Sequence, residues 1–156
     1  MSDFVATMSS PLGQIVLYAN DKALTNLDFL EGEFEESGLK ENPNEILDLA
    51  KKELALYFRG ELKSFSVPLD PQGSTFQKSV WNTLLKIPYG KTISYKDEAI
   101  SLGKPTAFRA VANANGANPI SIIIPCHRVI ASSGKLGGYS GGIEKKIYLL
   151  NLEKGE

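Results

Sequence analysis

Residues 94–115, SYKDEAISLGKPTAFRAVANAN, predict two short helices joined by a tight turn. Ser94 stands three residues before an aspartate, and this capping-box spacing favours a helix that begins directly after it. Gly103 allows the turn, and Pro105 suits the first turn of a second helix over residues 106–115. Helix, glycine turn and helix is the helix-turn-helix layout, although an ordinary helical hairpin shows the same pattern.

The second predicted helix is unusually slim. Four of its residues are alanines, Ala107, Ala110, Ala112 and Ala114, and Arg109 supplies its one long cation. A helix of this composition fits a narrow groove such as the minor groove of DNA, which is only about 6 Å wide.

Charge divides the chain into two parts. Residues 1–70 hold 6 Lys/Arg and 13 Asp/Glu, whereas residues 71–156 hold 11 and 5. The front part therefore carries a net charge of −7 and the rear part +6, although the whole chain carries only −1. A basic segment of this kind favours contact with nucleic acid, and an ordinary solvated surface is the alternative.

The bulk composition indicates a soluble globular protein, with 42% apolar and 22% charged residues. The longest apolar runs are too short to cross a bilayer, and the first residues lack the basic start and apolar core of a signal peptide. We therefore expect a cytoplasmic protein. One cysteine and one histidine cannot form an internal disulfide framework or a structural zinc site.

The front part of the chain predicts a small α/β unit. Its expected elements are strands at residues 12–18, 24–30 and 65–69, and a helix that opens at Pro43 and stops at Gly60. The stretch DPQGS at residues 70–74 is typical of a linker. We therefore place a domain boundary near residue 72, which gives domains over residues 1–72 and 73–156.

The rear part predicts mostly helix. A capping box formed by Ser74 and Gln77 opens its first helix. The apolar run at residues 120–124 predicts a short buried strand, and five glycines between residues 134 and 142 predict a loop. A last helix is expected over residues 143–152, with Ile143, Ile147 and Leu150 on its apolar face.

The only cysteine and the only histidine of the chain are neighbours, in the stretch IPCHRVI at residues 124–130. A free thiol has a pKa of about 8.5, so a nucleophilic cysteine needs a base or a cation beside it. His127 supplies a base directly after Cys126, whereas a buried inert cysteine is the alternative. Adjacent residues on a strand point to opposite faces, so thiol–imidazole contact requires a turn or a bridging water. Glu144 and Glu153 are both candidates to orient the imidazole.

Together these motifs resemble those of the O6-alkylguanine-DNA alkyltransferases, also called methylated-DNA–protein-cysteine methyltransferases. The resemblance covers residues 74–153 closely and the front part in general layout only. The matching segments are IPCHRVI (124–130), FQxxVWxxLxxIPYG (76–90), TxSY (92–95), RAVA (109–112), NP (118–119) and GYSGG (138–142).

The resemblance implies both a fold and an activity. The fold is an α/β N-terminal domain (a ribonuclease H-like small sheet plus helix) followed by a mostly α winged-helix/helix-turn-helix domain. The activity is direct-reversal DNA repair, an irreversible one-turnover transfer of an alkyl group, such as methyl, from O6-alkylguanine in duplex DNA to Cys126. Whether O4-alkylthymine is also a substrate stays open, as does the effect of Ser121, which stands where some relatives have a proline.

The resemblance also implies partners. We expect a monomer that binds alkylated double-stranded DNA in the minor groove and has no membrane partner, and clustering of copies on DNA stays open. No cofactor is expected. No metal is expected either, because the front-domain cysteines and histidine that hold zinc in some relatives are missing here.

By the same resemblance, five residues form the catalytic site. Cys126 attacks the alkyl carbon, and His127 acts on the thiol through a water. Glu153 orders the imidazole of His127, and Asn118 holds the turn beneath the site. Tyr95 crowds the phosphate or base to rotate the nucleotide and donates to guanine N3.

A second set of residues is implied to contact DNA or to line the substrate pocket. Arg109 fills the gap in the base stack as a finger, and Tyr95 also belongs to the DNA contacts. The further expected DNA contacts are Ala110 and Arg128. The expected pocket residues are Val129, Tyr139, Ser140 and Gly141.

Two other classes of protein share parts of this pattern. A Cys-His hydrolase needs an oxyanion hole and turns over many times. A helix-turn-helix regulator or a lesion-sensing relative binds without transfer, but sensing relatives lack the cysteine that this chain has at Cys126. Counting moles of product per mole of protein separates transfer from hydrolysis.

Overall fold

The computed structural model describes residues 3–32, 37–139 and 141–155. The chain divides into two compact units, Met1–Gln72 and Gly73–Glu156. Within the described ranges, no helix combines the length and the apolar character that crossing a membrane requires.

The first unit consists of an antiparallel sheet and one helix. The strands β1 (Phe4–Ser10), β2 (Gly13–Ala19) and β3 (Leu24–Phe29) pair in chain order, and α1 (Glu45–Phe58) packs against all three. The sheet buries Ile15, Leu17 and Leu27, and the helix buries Leu47, Ala50, Leu54 and Tyr57. The two strands predicted near residues 12–18 and 24–30 are confirmed, whereas β1 was not predicted, because FVATMSS has only a weak alternation of apolar and polar residues.

The predicted strand at residues 65–69 is wrong. Only Leu69 pairs with a strand, through an isolated parallel bridge to Leu24. Pro68 lacks an N–H group and so limits further pairing. The carboxylate of buried Glu53 instead accepts hydrogen bonds from the backbone of Ser66 and Val67, so a helix side chain fixes this segment.

The second unit is mostly helical, and its helix starts agree with local sequence signals. The helices α2 (Thr75–Leu84) and α3 (Tyr95–Ser101) each begin with a complete capping box, headed by Ser74 and Ser94. The next helix, α4 (Phe108–Gly116), begins two residues later than predicted, with Pro105 in the preceding turn. The short strands β4 (Ile93–Ser94) and β5 (Val129–Ile130) pair in parallel. The expected order of a small α/β unit and then a mostly helical unit is confirmed.

Residues 120–124 are buried as predicted, but they form tight turns and not a strand. The backbone N–H of Ile123 donates to the carbonyl of Ser121 at 2.8 Å, and Ile122 between them has a φ of 73°. A positive φ is rare for a β-branched residue. A second such bond, from Cys126 N to Ile124 O at 2.8 Å, turns the chain at Pro125 into a 3₁₀ helix over Cys126–Arg128.

The last helix, α5 (Ile143–Lys154), buries only part of the predicted face. Leu150 is buried as predicted, together with Leu149, whereas Ile143 and Ile147 are 43% and 40% exposed. Lys146 and Glu153 point inward on the same side as these leucines. Burial of charged side chains requires hydrogen-bonding partners, and both find them in the site described next.

Candidate active site

Cys126 lies where the tight turns end, at the first residue of the 3₁₀ helix. The residue is only 7% exposed, yet it lines a cavity of about 310 Å³. The cavity is also lined by Tyr95, Ala112, Asn113, Asn115, Gly116, Gly138 and Tyr139. The chain thus leaves the extended conformation at Pro125, which is the turn that contact between adjacent Cys126 and His127 side chains would require.

Asn118 holds the turn that carries the cysteine. Its Nδ2 donates to the carbonyl of Ile124 at 2.7 Å and to Cys126 Sγ at 3.3 Å. Its Oδ1 accepts from the backbone N–H of Ile120 at 3.0 Å. One buried amide thus fixes both ends of the turn and directs a donor at the sulfur.

Behind the cysteine, Glu153 joins His127 and Arg128 in a buried cluster. His127 Nε2 lies 2.7 Å from Glu153 Oε2. Arg128 donates from Nε to Oε1 at 2.7 Å and from Nη2 to Oε2 at 3.0 Å, a bidentate pair. Of the two candidate carboxylates, the structure therefore brings Glu153 to the imidazole, while Glu144 is exposed in the first turn of α5.

Arg128 does not occupy a position that fits the predicted DNA contact. Its side chain is 9% exposed, and its remaining donor Nη1 binds the carbonyl of Ile87 at 2.8 Å. The guanidinium is therefore used within the protein, to neutralise Glu153 and to join α5 to the turn that follows α2.

The imidazole is held as a neutral base. Burial lowers the pKa of His127 below its ordinary 6.5, and the hydrogen bond to Glu153 opposes that shift only in part. A carboxylate only accepts, so the neutral ring carries its hydrogen on Nε2 and leaves Nδ1 as an acceptor. Nδ1 has no hydrogen-bond partner among the described protein atoms.

The thiol is also neutral at rest. Burial raises the pKa of Cys126 above its ordinary 9.0, and the Asn118 hydrogen bond and the charge of Lys146 act in the opposite direction. Tyr95 likewise stays a phenol, because burial raises its pKa. The site therefore holds a protonated thiol, a neutral imidazole and a protonated phenol.

Lys146 also belongs to the site, but sequence reasoning missed it, because a lysine on a helix normally faces water. The residue is fully buried, and its Nζ donates to the carbonyls of Val129 at 2.7 Å and Gly138 at 3.2 Å. The ammonium lies 5.9 Å from the centroid of the Tyr95 ring. It therefore ties the glycine loop to β5 and supplies positive charge near the thiol.

Glu98 and Asn115 form a second buried pair that sequence reasoning missed. Asn115 Nδ2 donates to Glu98 Oε1 at 2.7 Å, which joins α3 to α4. Glu98 Oε2 and Asn115 Oδ1 have no partner among the described atoms. Burial raises the pKa of Glu98 to about 7, and the Asn115 hydrogen bond acts against this rise.

The remaining predicted residues are divided between the cavity and the surface. Tyr95 and Tyr139 line the cavity with Cys126, whereas Val129 is buried in β5 and is not among the residues that line this cavity. Burial raises the pKa of Tyr139 well above its ordinary range.

Arg109 and Ala110 are exposed on α4, and Gly141 is half-buried in the loop. Ser140 lies outside the described residues. The described residues contain no group of three His, Cys, Asp or Glu side chains that could hold a metal ion.

Two family models match the chain, one over each unit. The ribonuclease-like domain of 6-O-methylguanine DNA methyltransferase matches residues 4–71, and the DNA binding domain of the same protein matches residues 75–155. The chain belongs to the 6-O-methylguanine DNA methyltransferase family. The expected fold class, with a ribonuclease-like first domain, is thereby confirmed.

Known members of the family are similar over nearly the whole chain. A methylated-DNA–protein-cysteine methyltransferase of Methanosarcina barkeri is 50% identical over 150 residues, which are 94% of each protein. The crystal structure of Mycobacterium tuberculosis OGT in complex with DNA has a TM-score of 0.88 at 48% identity and covers 97% of this chain and 92% of that chain. A Methanococcus jannaschii O6-methylguanine DNA methyltransferase has a TM-score of 0.72 at 29% identity, with 97% and 94% coverage.

Proposed function

We propose that this protein repairs alkylated DNA directly, by moving an alkyl group from the O6 atom of guanine to Cys126 in a single irreversible turnover. The observation that carries the proposal is the placement of one thiol on a cavity with a buried His127–Glu153 pair behind it. Membership of a family whose relatives are named methylated-DNA–protein-cysteine methyltransferases supports the same conclusion.

The reaction is a displacement at the alkyl carbon. A lone pair of Cys126 Sγ forms the S–C bond, and the electron pair of the C–O6 bond leaves with guanine. The thiol loses one proton and the released guanine gains one, so protons balance. The product is a thioether, which water does not hydrolyse, and the chain has no second cysteine to remove the alkyl group.

His127 and its neighbours prepare the sulfur for attack. The acceptor Nδ1 of the neutral imidazole takes the thiol proton through a bridging water, and Glu153 stabilises the imidazolium that forms. Asn118 donates a hydrogen bond to the developing thiolate, and Lys146 adds a positive charge nearby. These groups matter most after proton transfer, because burial alone disfavours the thiolate.

The substrate is reached by extrusion of the nucleotide from duplex DNA. We propose that α4 lies in the minor groove, that exposed Arg109 fills the gap in the stack, and that Ala110 packs beside it. Tyr95, a phenol at the cavity wall, donates to the base as negative charge leaves with it. Val129, Tyr139 and the glycine loop with Ser140 and Gly141 then surround the base.

Each of the two domains has its own task in this reaction. Residues 73–156 bind DNA and carry out the transfer, and residues 1–72 form the accompanying α/β domain. We propose a cytoplasmic monomer that binds alkylated double-stranded DNA and needs no cofactor or metal.

Mass spectrometry after reaction with a duplex that contains one O6-methylguanine tests the function. We expect a gain of one methyl group per protein molecule, mapped to Cys126, and product formation that stops at one equivalent. Cys126→Ala is expected to bind the duplex without taking up methyl. Product in excess of the protein would instead indicate a hydrolase, and binding without any methyl gain in the unaltered chain would indicate a lesion sensor.

A further inference from the structure

Phe108 interrupts the otherwise slim face of α4. It is the first residue of that helix, and 49% of its surface is exposed. The other exposed residues of α4 are Arg109, Ala110, Asn113 and Gly116. A single bulky ring therefore stands beside the residue that we place in the base stack, on the helix that we place in a narrow groove.

The same ring lines a second cavity, of about 410 Å³. Tyr95 lines both this cavity and the cavity of Cys126, so the two cavities share one residue of their walls. The other lining residues are Lys96, Pro105, Ala131 and Ser132. This combination of apolar, ammonium and hydroxyl side chains suits a nucleotide chain. Apolar groups pack on the sugar, and ammonium and hydroxyl groups bind phosphate oxygens.

We propose that Phe108 is an apolar wedge that enters duplex DNA next to the nucleotide extruded into the Cys126 cavity. The inference rests on the proposed repair function, which brings DNA to α4. Two exposed cations lie near this ring, Lys96 in the wall of the same cavity and Arg109 as the next residue of α4, and their charge complements the phosphate backbone of DNA. The surface is also continuous with the substrate cavity through Tyr95.

A wedge at this position requires the DNA to change shape. The minor groove is about 6 Å wide, so a small exposed residue of α4 such as Ala110 fits it while the phenyl ring of Phe108 does not. Apolar side chains that enter between base steps unstack them and bend the duplex toward the major groove. Extrusion of the damaged nucleotide has already broken the stack, so the step beside it opens at the lowest cost.

The test compares Phe108→Ala with Leu85→Ala, which removes a similarly exposed apolar side chain (46%) outside α4. Methyl uptake at Cys126 is measured from two substrates, a duplex with one O6-methylguanine and the free O6-methylguanine base, which requires no DNA contact. Bending of the duplex is followed by energy transfer between dyes at its ends. An unaltered rate on the free base shows that each variant is folded and has an intact transfer site.

We expect Phe108→Ala to lose between about 5-fold and 100-fold in transfer rate on the duplex at subsaturating protein, as for loss of a stacked aromatic. Bending should decrease with it, and transfer from the free base should not change. Phe108→Trp, which keeps an aromatic wedge, should retain the bend, and Leu85→Ala should match the unaltered chain throughout.

Unchanged duplex rate and bend in Phe108→Ala would overturn the wedge. An equal loss on the duplex and on the free base would also overturn it, because the ring would then support the transfer site itself. Failure of the unaltered protein to take up methyl from either substrate would instead refute the repair function, so the two failures are distinguishable.

Discussion

At the scale of single residues, the site pairs an uncharged thiol with an uncharged imidazole. Burial raises the pKa of Cys126 above 9.0 and lowers the pKa of His127 below 6.5. Between these limits one protonation state dominates, thiol plus neutral base, and this is the state from which the imidazole can remove the thiol proton. The proposed proton transfer from Cys126 to His127 thus starts from the protonation state that prevails across the neutral pH range.

This arrangement predicts a flat pH profile. The single-turnover rate of methyl transfer should vary little between about pH 6.5 and 9, because neither group titrates there. It should fall only below the lowered pKa of His127, where the base becomes protonated. Rapid-quench measurements across pH 5.5–9 check this, and His127→Gln should replace the plateau by a rise with pH. A tenfold rise per pH unit in the unaltered chain would mean that preformed thiolate attacks without the base.

The residues that could be predicted from the sequence are those with an unusual position in the chain. The adjacency of Cys126 and His127 pointed to the nucleophile, and the family resemblance separated Glu153 from Glu144. Lys146 could not be found in this way, because its partners are backbone carbonyls whose placement depends on the tertiary fold. The DNA contact expected of Arg128 does not fit the structure for a related reason. An arginine beside a site is commonly interpreted as a ligand contact, and its buried partner Glu153 is known only from the fold.

At the scale of elements, features that depend on residues a few positions apart were predicted correctly. A segment whose conformation depends on tertiary contacts was not. The two capping boxes each depend on residues three positions apart, and both are complete in the structure. The run at residues 120–124 was predicted as a strand because it is apolar, but an apolar run alone does not distinguish a strand from a buried turn. Asn118 and the positive φ of Ile122 decide that conformation.

The contact between α3 and α4 gives an element-scale prediction through Glu98. Its pKa is about 7 in the folded protein and near 4.5 in the unfolded chain, so between these values the unfolded chain releases a proton that the folded one keeps. Stability is therefore lost as pH rises through this window, by up to about 3 kcal/mol above it. Glu98→Gln preserves the acceptor for Asn115 and removes the charge, so it should raise the free energy of unfolding at pH 8 and have little effect near pH 4.5.

Urea unfolding at several pH values measures this difference. Glu31→Gln, which removes an exposed carboxylate, serves as the matched control and should change stability little at any pH. If Glu98→Gln were destabilising at pH 8, the carboxylate would be ionised and stabilised in the folded protein by groups other than Asn115.

At the scale of the whole molecule, the charge asymmetry between the two parts of the chain explains how a nearly neutral protein can bind DNA. The rear part carries +6 and the front part −7, so the chain as a whole is nearly neutral. Affinity for DNA depends on the few lysines and arginines that contact phosphates and not on the net charge. A nearly neutral protein can therefore bind DNA through one surface while the acidic part repels phosphate elsewhere.

Salt dependence separates these two surfaces. Lys96, exposed beside the Phe108 cavity, is expected to contact a phosphate, so Lys96→Gln should reduce the slope of log affinity against log salt concentration by about 0.9. Lys22→Gln, an exposed lysine of the first unit, should leave the slope unchanged. Fluorescence anisotropy with an unmodified duplex at several salt concentrations measures both slopes. Only a lysine that contacts a phosphate releases a counterion and so contributes to the slope. Equal reductions in the two variants would therefore contradict a defined binding surface, because the affinity for DNA would then depend on the total charge of the protein.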